Sequence, residues 1–296
     1  MADATPISVV TVTYNSARVI ADCLAGIPRA IPVVLVDNDS GDETVAIARA
    51  IRPEMRILPL GDNRGFGAGA NLGLAEVTTP MGLLLNPDAR LRPGALDALA
   101  AAAARYPEAG LLAPCSWDGS GRLEFGRQPL FGAWSEAGGK EVIPDGDCCA
   151  LYLAGSAMCF RLEAFAGVGG FDEAIFLYFE DDDVCLRLAH AGWSLVHVAD
   201  AHVDHLAGRS SDGVAGLDYW KHWHQGWSRL HMEAKHHGRA AALALALPRL
   251  ALFAMKAGTY RLLGAEAKHR RYGGRLGGTW GYLAGRQARS VRLGRS

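Results

Sequence analysis

Several familiar features are missing from this sequence, and each absence narrows what the chain can be. It has no run of about 20 uninterrupted apolar residues, the length that a membrane-spanning helix needs. The N-terminus carries no basic stretch followed by an apolar one, so no secretory signal is expected. Six cysteines are present (Cys23, Cys115, Cys148, Cys149, Cys159 and Cys185), and none forms a C-x-x-C pair. Their scattered positions suit reduced, buried thiols in a cytosolic protein rather than a disulfide framework. No H-x-x-x-H pattern lies beside a carboxylate, as a metalloprotease would require. There is no internal repeat, and net charge is almost nil at −1.

What is present is enough apolar residue to build a core without staples. The chain has 296 residues and is 50% hydrophobic, room for one large α/β domain with an appended piece, or for two modest domains. The small net charge hides a split. Residues 1–215 hold 15 Lys and Arg against 28 Asp and Glu, and residues 216–296 hold 15 against 3. This pattern predicts an acidic domain over 1–215 and a basic helical extension over 216–296. The extension either folds on the acidic domain or meets an anionic surface, phospholipid headgroups or nucleic acid.

Strand and helix signals alternate through the first hundred or so residues, as in a βαβ sheet. Short β-branched or apolar runs at Ile7–Thr13, Pro32–Val36, Arg56–Leu60 and Met81–Leu85 read as strands. Between them, Ala17–Gly26, Asp42–Ala50 and Gly67–Val77 have helical spacing, with Ser40 or Asp42 available to cap the second. Pro93–Tyr106 is an Ala-rich helix. Residues 114–150 read as a loop-rich insertion, Ala150–Arg161 as a strand, Asp183–Ala191 as a helix and Trp193–Val198 as a closing strand. The Ala/Leu segment 240–258 is interrupted by Pro248-Arg249.

Ligands in open α/β sheets sit at the carboxyl ends of the strands, and here four polar clusters fall there. They are Thr13-Tyr14-Asn15, Asp37-Asn38-Asp39, Asn63-Arg64-Gly65 and Asn86-Pro87-Asp88. A diphosphate-bridged hard cation needs only one or two protein carboxylates, which Asp88 can supply. His205, just after a strand, is a second candidate ligand or a phosphate contact. Glu180-Asp181-Asp182-Asp183 follows Phe176–Phe179, which reads as a short aromatic strand. Crowding and desolvation raise carboxyl pKa values, the condition for a general base. Within the cluster, Glu180 or Asp181 is expected to work and Asp183 to cap the following helix. The run Gly65-Phe66-Gly67-Ala68-Gly69-Ala70 also imitates a dinucleotide fingerprint. Its loop is long for that turn, however, and it follows the third strand rather than the first.

Taken together the segments resemble the inverting family 2 glycosyltransferases of the GT-A fold, especially their rhamnosyltransferase-like branch. The likeness rests on V-T-Y-N at Val12–Asn15, V-D-N-D-S at Val36–Ser40, N-R-G-F-G-A-G-A-N at Asn63–Asn71 and L-N-P-D at Leu85–Asp88. It continues through G-S-A-M at Gly155–Met158, G-G-F-D-E at Gly169–Glu173, Y-F-E-D-D-D-V-C-L-R at Tyr178–Arg187, A-G-W at Ala191–Trp193 and H-x-x-G-x-S at His205–Ser210. The resemblance implies a mostly parallel sheet flanked by helices and a nucleotide-diphosphate sugar donor. It places Thr13, Tyr14, Asn15, Asp37, Asn63, Gly65, Asn71, Asn86, Asp88 and Gly155 on the donor. Asp88 matches the last residue of the family's DxD motif, with Asn86 replacing the first, and would hold Mg²⁺ or Mn²⁺, with His205 as a further ligand. Asp181 matches the catalytic base and Glu180 supports it; Asp182 replaces the more usual apolar residue.

The reading from sequence is therefore a sugar transfer, rhamnose as the best guess, to a saccharide or polyprenyl-diphosphate-linked acceptor. The basic Ala/Leu-rich extension points to peripheral contact with the inner face of a membrane and not to nucleic acid. Two rival functions remain at this point: an NAD(P)-linked oxidoreductase using the Gly65–Gly69 loop, and a sugar- or nucleotide-binding module without chemistry.

Overall fold

The computed structural model describes residues 6–121, 123–124, 145–153, 155–205 and 217–288. Much of the expected insertion at 114–150, and Leu206–Ser210 of the H-x-x-G-x-S segment, lie outside the described residues. The chain divides into two compact units. The first comprises Met1–Asn63, Ala68–Phe171 and Asp181–Asp212, and the second Arg64–Gly67, Asp172–Glu180 and Gly213–Ser296.

The first unit is built on β1 (Ile7–Thr13), β2 (Val33–Asp37), β3 (Arg56–Pro59) and β4 (Met81–Leu85), which run parallel. β1, β2 and β4 are buried along their whole length, as expected of strands covered on both faces. Beyond β4 come β9 (Ala157–Arg161), antiparallel, then β6 (Ala109–Asp118) and β10 (Ser194–His205), and finally β5 (Ala89–Leu91). Two short strands, β7 (Leu123–Glu124) and β8 (Cys148–Cys149), join at β6 and β10 and complete a 10-stranded sheet. This is the expected mixed, mostly parallel sheet.

On one face of the sheet, α1 (Ile20–Ala25) and α4 (Ala95–Arg105) bury Ile20, Leu24, Leu96 and Leu99 against Ile7, Val9, Leu83 and Val203. Helix α3 (Phe66–Ala75) lies against β1 through glycines. A Cβ on Gly69 or Gly73 would strike Val12 or Val10. Helix α2 (Thr44–Ile51) starts without a side-chain cap. Ser40 hydrogen-bonds Asp37 instead, and Asp42 accepts from the backbone N–H of Thr44 and Ala17.

Three expectations need correction. The strand expected over Ala150–Arg161 is only β9, because Leu153 and its neighbours turn to meet helix α6 (Glu180–His190). Phe176–Phe179 is not an extended run: Tyr178 and Phe179 have φ of 67° and 71°. The closing strand β10 is longer than expected, passing a bulge between Val198 and His202 and running on to His205.

The second unit contains α7 (Leu217–His237), α8 (Arg239–Leu262) and α9 (Glu266–Leu283). α7 and α9 approach closely through small residues. A Cβ on Gly226 would meet the Arg275 carbonyl at 2.5 Å, and one on Gly278 would overlap the Trp223 carbonyl. Pro248 does not break α8, which continues past it. It removes one backbone hydrogen bond, at up to ~3 kcal/mol, and the Ala and Leu flanks favour helix strongly enough to continue.

Candidate active site

At the ends of β1 and β2, the polar residues are tied to one another. The Thr13 hydroxyl donates to Asp37 Oδ1 at 2.9 Å, and Ser40 donates its hydroxyl to Oδ1 (2.6 Å) and its N–H to Oδ2 (3.0 Å). Asn15, at φ 51°, donates its N–H to Ser40 Oγ (2.9 Å) and accepts from the Gly41 N–H (2.8 Å). Asp37 is buried in this mesh, whereas Tyr14 is 36% exposed. A carboxylate has about four acceptor positions, so Asp37 keeps capacity for one further donor while its orientation is set.

Asn71 clasps the backbone of Phe171, donating to its carbonyl at 3.0 Å and accepting its N–H at 2.8 Å. Phe171 is held in turn against Phe160 and Phe165 at ring separations of 5.6 and 5.4 Å. Gly65 has φ +92°, and a Cβ there would overlap the Phe176 carbonyl. Asn63 lies just before it, partly buried. The dinucleotide alternative finds no support here. The glycine loop follows β3, an edge strand, and its later glycines are used for helix-to-sheet packing.

Asp88 and His205 come together through a pairing that the sequence does not announce. β5 runs antiparallel to β10 with His205 opposite Ala89, which sets His205 Nε2 3.4 Å from Asp88 Oδ1. The Asp88 side chain is 4% exposed. Asn86 donates its N–H to Ser156 O (3.0 Å), while its side-chain Oδ1 is buried without a hydrogen-bond partner. One carboxylate, one imidazole and an unsatisfied amide oxygen fit a divalent cation that draws its remaining ligands from phosphate and water. Among the described residues no group of three or more His, Cys, Asp or Glu is assembled for a metal, so such a cation would depend on its substrate.

Asp181 is the second residue of α6. Its Oδ2 accepts from the Tyr152 hydroxyl in a short hydrogen bond and from the Gly155 N–H at 3.2 Å, and its Oδ1 from the Asp182 N–H at 3.0 Å. A Cβ on Gly155 would sit 3.1 Å from Oδ2, so the missing side chain admits the carboxylate. Desolvation raises the Asp181 pKa above its ordinary 3.8, and the hydrogen bond from Tyr152 opposes that rise. Burial first, and then the Asp181 charge, push the Tyr152 phenol far up, so it stays a proton donor.

The other carboxylates of the cluster are placed differently. Asp182 is fully buried and Glu180 nearly so. Asp183 is not the helix cap, because α6 starts at Glu180 and Asp183 falls inside its first turn. It pairs with Arg187 at 2.6 Å, and Arg187 also donates to the Val168 carbonyl at 2.6 Å. Sequence reasoning missed Tyr152 and Ser40. Ser40 lies within the V-D-N-D-S motif but reads there only as a cap candidate, not as a partner of Asp37; Tyr152, 29 residues from its partner, offered no signal.

The mixed α/β sheet with its polar residues at the carboxyl strand ends has the GT-A fold. That architecture is shared with a mannosyltransferase from Pyrobaculum calidifontis, solved with GDP-Man and Mn²⁺ (TM-score 0.55, 18% identity, 94% of this chain and 87% of that one). Residues 8–166 match the family described as Glycosyl transferase family 2. An N-acetylglucosaminyl-diphospho-decaprenol L-rhamnosyltransferase of Mycobacterium tuberculosis (strain CDC 1551 / Oshkosh) is 33% identical over 71% of this chain and 78% of its own length. Rhamnosyltransferase WbbL of Escherichia coli (strain K12) is 46% identical over a shorter stretch, 21% of this chain and 23% of that protein. The chain belongs to glycosyl transferase family 2 and is a glycosyltransferase.

Proposed function

We propose that the chain is an inverting, cation-dependent rhamnosyltransferase that uses a nucleoside-diphosphate sugar and a polyprenyl-diphosphate-linked acceptor. The observation that carries the chemistry is Asp181, a partly buried carboxylate of raised proton affinity with one oxygen pinned by Tyr152 and Gly155. Asp181 removes the proton from an acceptor hydroxyl. The hydroxyl oxygen then bonds to the anomeric carbon from the face opposite the diphosphate. The carbon–oxygen bond to the diphosphate breaks, the electron pair leaves with the nucleoside diphosphate, and configuration inverts. Asp88 and His205 would hold Mg²⁺ or Mn²⁺, which supplies Lewis-acid neutralisation of the leaving diphosphate. The locked β1 and β2 loops orient the nucleotide, so that little freedom is lost in the reaction itself.

Rhamnose and the lipid-linked acceptor are supported by the name of the Mycobacterium tuberculosis relative. A transfer screen over nucleotide sugars, with N-acetylglucosaminyl-diphosphoprenol as acceptor, tests both. Selective turnover of dTDP-rhamnose is expected; turnover of another donor alone would remove the rhamnose assignment.

Helix α8 supports a membrane-facing acceptor. Leu243, Leu247, Leu252, Met255 and Leu262 are exposed along it, and Arg239, Arg249, Lys256 and Arg261 lie among them in sequence. The helix is long and apolar enough to cross a membrane by length and composition, yet its buried Ala242, Ala246 and Ala257 give it a protein-packed side. An interfacial position against anionic lipid at the cytoplasmic face satisfies both sides. In flotation with phosphatidylglycerol vesicles, Leu247→Glu should lower binding about tenfold or more, since burying one Leu stabilises by ~1.5–3 kcal/mol. Donor hydrolysis should be unchanged. Equal flotation of both proteins would exclude this face.

A further inference from the structure

We infer that helix α7 is a positioning element for the catalytic carboxylate, clamping the turn Asp172–Phe179 that leads directly into α6. This rests on Asp181 being the base and adds a catalytic role for the C-terminal helices, separate from any membrane role. Within the second unit, four residues of α7 grip the turn. His224 stacks on the Phe176 ring at 4.7 Å. Ser228 donates its hydroxyl to the Leu177 carbonyl at 3.0 Å. His231 Nε2 and Lys235 Nζ lie 3.1 and 2.7 Å from Asp172 Oδ2. Positions 224, 228, 231 and 235 follow the i, i+4, i+7, i+11 spacing of one helix face. The grip is therefore a single stripe. It is also internal, since His224 is 2% and Ser228 0% exposed.

The turn needs such a grip. Tyr178 and Phe179 are consecutive non-glycine residues at positive φ, a conformation that costs ~1–2 kcal/mol per residue and persists only where surroundings impose it. Glu180 follows at once as the first residue of α6, and Asp181 is the second. Freedom in the turn thus becomes freedom in the carboxylate. The Phe176 carbonyl also accepts the Phe66 N–H at 3.2 Å, a second tie on the turn besides α7. The hydrogen bond from His231, the largest cause, and that from Lys235 hold the Asp172 carboxyl well below the usual carboxylate range against the burial that raises it, which keeps the anchor charged at working pH.

The test is full-chain kinetics of Ser228→Ala, Asp172→Asn and their double variant, with Lys235→Gln as a milder substitution at the more exposed end. Asp181→Asn is measured in parallel. The expected result for Ser228→Ala and Asp172→Asn is a kcat about tenfold lower with donor KM within about twofold. The double variant should lose less than the product of the singles, because both loosen one turn. The acid limb of the kcat–pH profile should move downward, toward the ordinary carboxylate value, since a displaced Asp181 is relieved of the desolvation that is the largest cause of its raised pKa. Folded fraction is read by circular dichroism and by the thermal shift with UDP and dTDP. Unchanged kcat per folded molecule, or an unmoved acid limb, overturns the clamp. If Asp181→Asn itself keeps turnover, the base assignment fails instead, which is a separate outcome.

Discussion

Asp181→Asn is expected to lower turnover about 10³-fold with donor affinity nearly unchanged. A positioned base contributes ~10²–10⁴-fold, and three decades correspond to about 4 kcal/mol of barrier. The substitution is close to isosteric, so the loss reads chemistry and not packing. An Asn oxygen can still accept from Tyr152 and Gly155. Its NH₂ would then face the Asp182 N–H, which now donates to Oδ1 at 3.0 Å, and one backbone hydrogen bond is lost. Protonation adds an independent check. Desolvation holds the Asp181 pKa above 3.8 and Tyr152 pulls it back. The base is active only when ionised, so kcat falls as pH drops through that raised value. Tyr152→Phe removes a donor to the anion and should move the acid limb to still higher pH. Initial rates between pH 4 and 9 measure both effects; a limb unmoved by Tyr152→Phe would detach the phenol from the base.

Much of this was legible in the sequence wherever the signal was local. β1, β2 and β4 announce themselves as apolar runs followed by polar residues because both faces are covered and the candidate site lies at their tips. The acidic cluster stood out for the same reason, carboxylates abutting an apolar run. Long-range pairing was not legible. β5 is three residues long, too short for periodicity, yet it brings His205 to Asp88. Phe176–Phe179 looks extended by composition, but it turns at Tyr178 and Phe179 with positive φ, where contacts with α7 hold it. Asp183 resembled a cap until α6 proved to begin at Glu180, where Arg187 one turn on claims the Asp183 carboxylate. Asn71, grouped with the donor residues by resemblance, spends both ends of its amide on Phe171, a tertiary duty without any trace in sequence.

Asp88→Asn is expected to lower kcat/KM about 10²-fold or more and to abolish the stabilisation that Mn²⁺ gives in the presence of a nucleoside diphosphate. The protein itself offers a cation few ligands. Asp88 and His205, 3.4 Å apart, with the buried Asn86 Oδ1 beside them in sequence, leave most coordination positions to phosphate and water. Removing the single carboxylate therefore removes the anionic half of the protein's contribution. The Cys23 thiol does not replace it: burial first, then the Asp88 charge, push it up to about 12, so it stays neutral. His205→Ala, which spares the charge, should cost less, on the order of tenfold. The backbone is not expected to move, because Asp88 follows the buried strand β4 and the Ala89 N–H donates to the Asn86 carbonyl at 3.0 Å. Thermal shift with dTDP or UDP, with Mn²⁺ titrated into EDTA-stripped protein, separates cation binding from catalysis. Should Asp88→Asn respond to Mn²⁺ as the parent does, the cation is held elsewhere, and Asp88 acts only through its hydrogen-bonding geometry at the strand end.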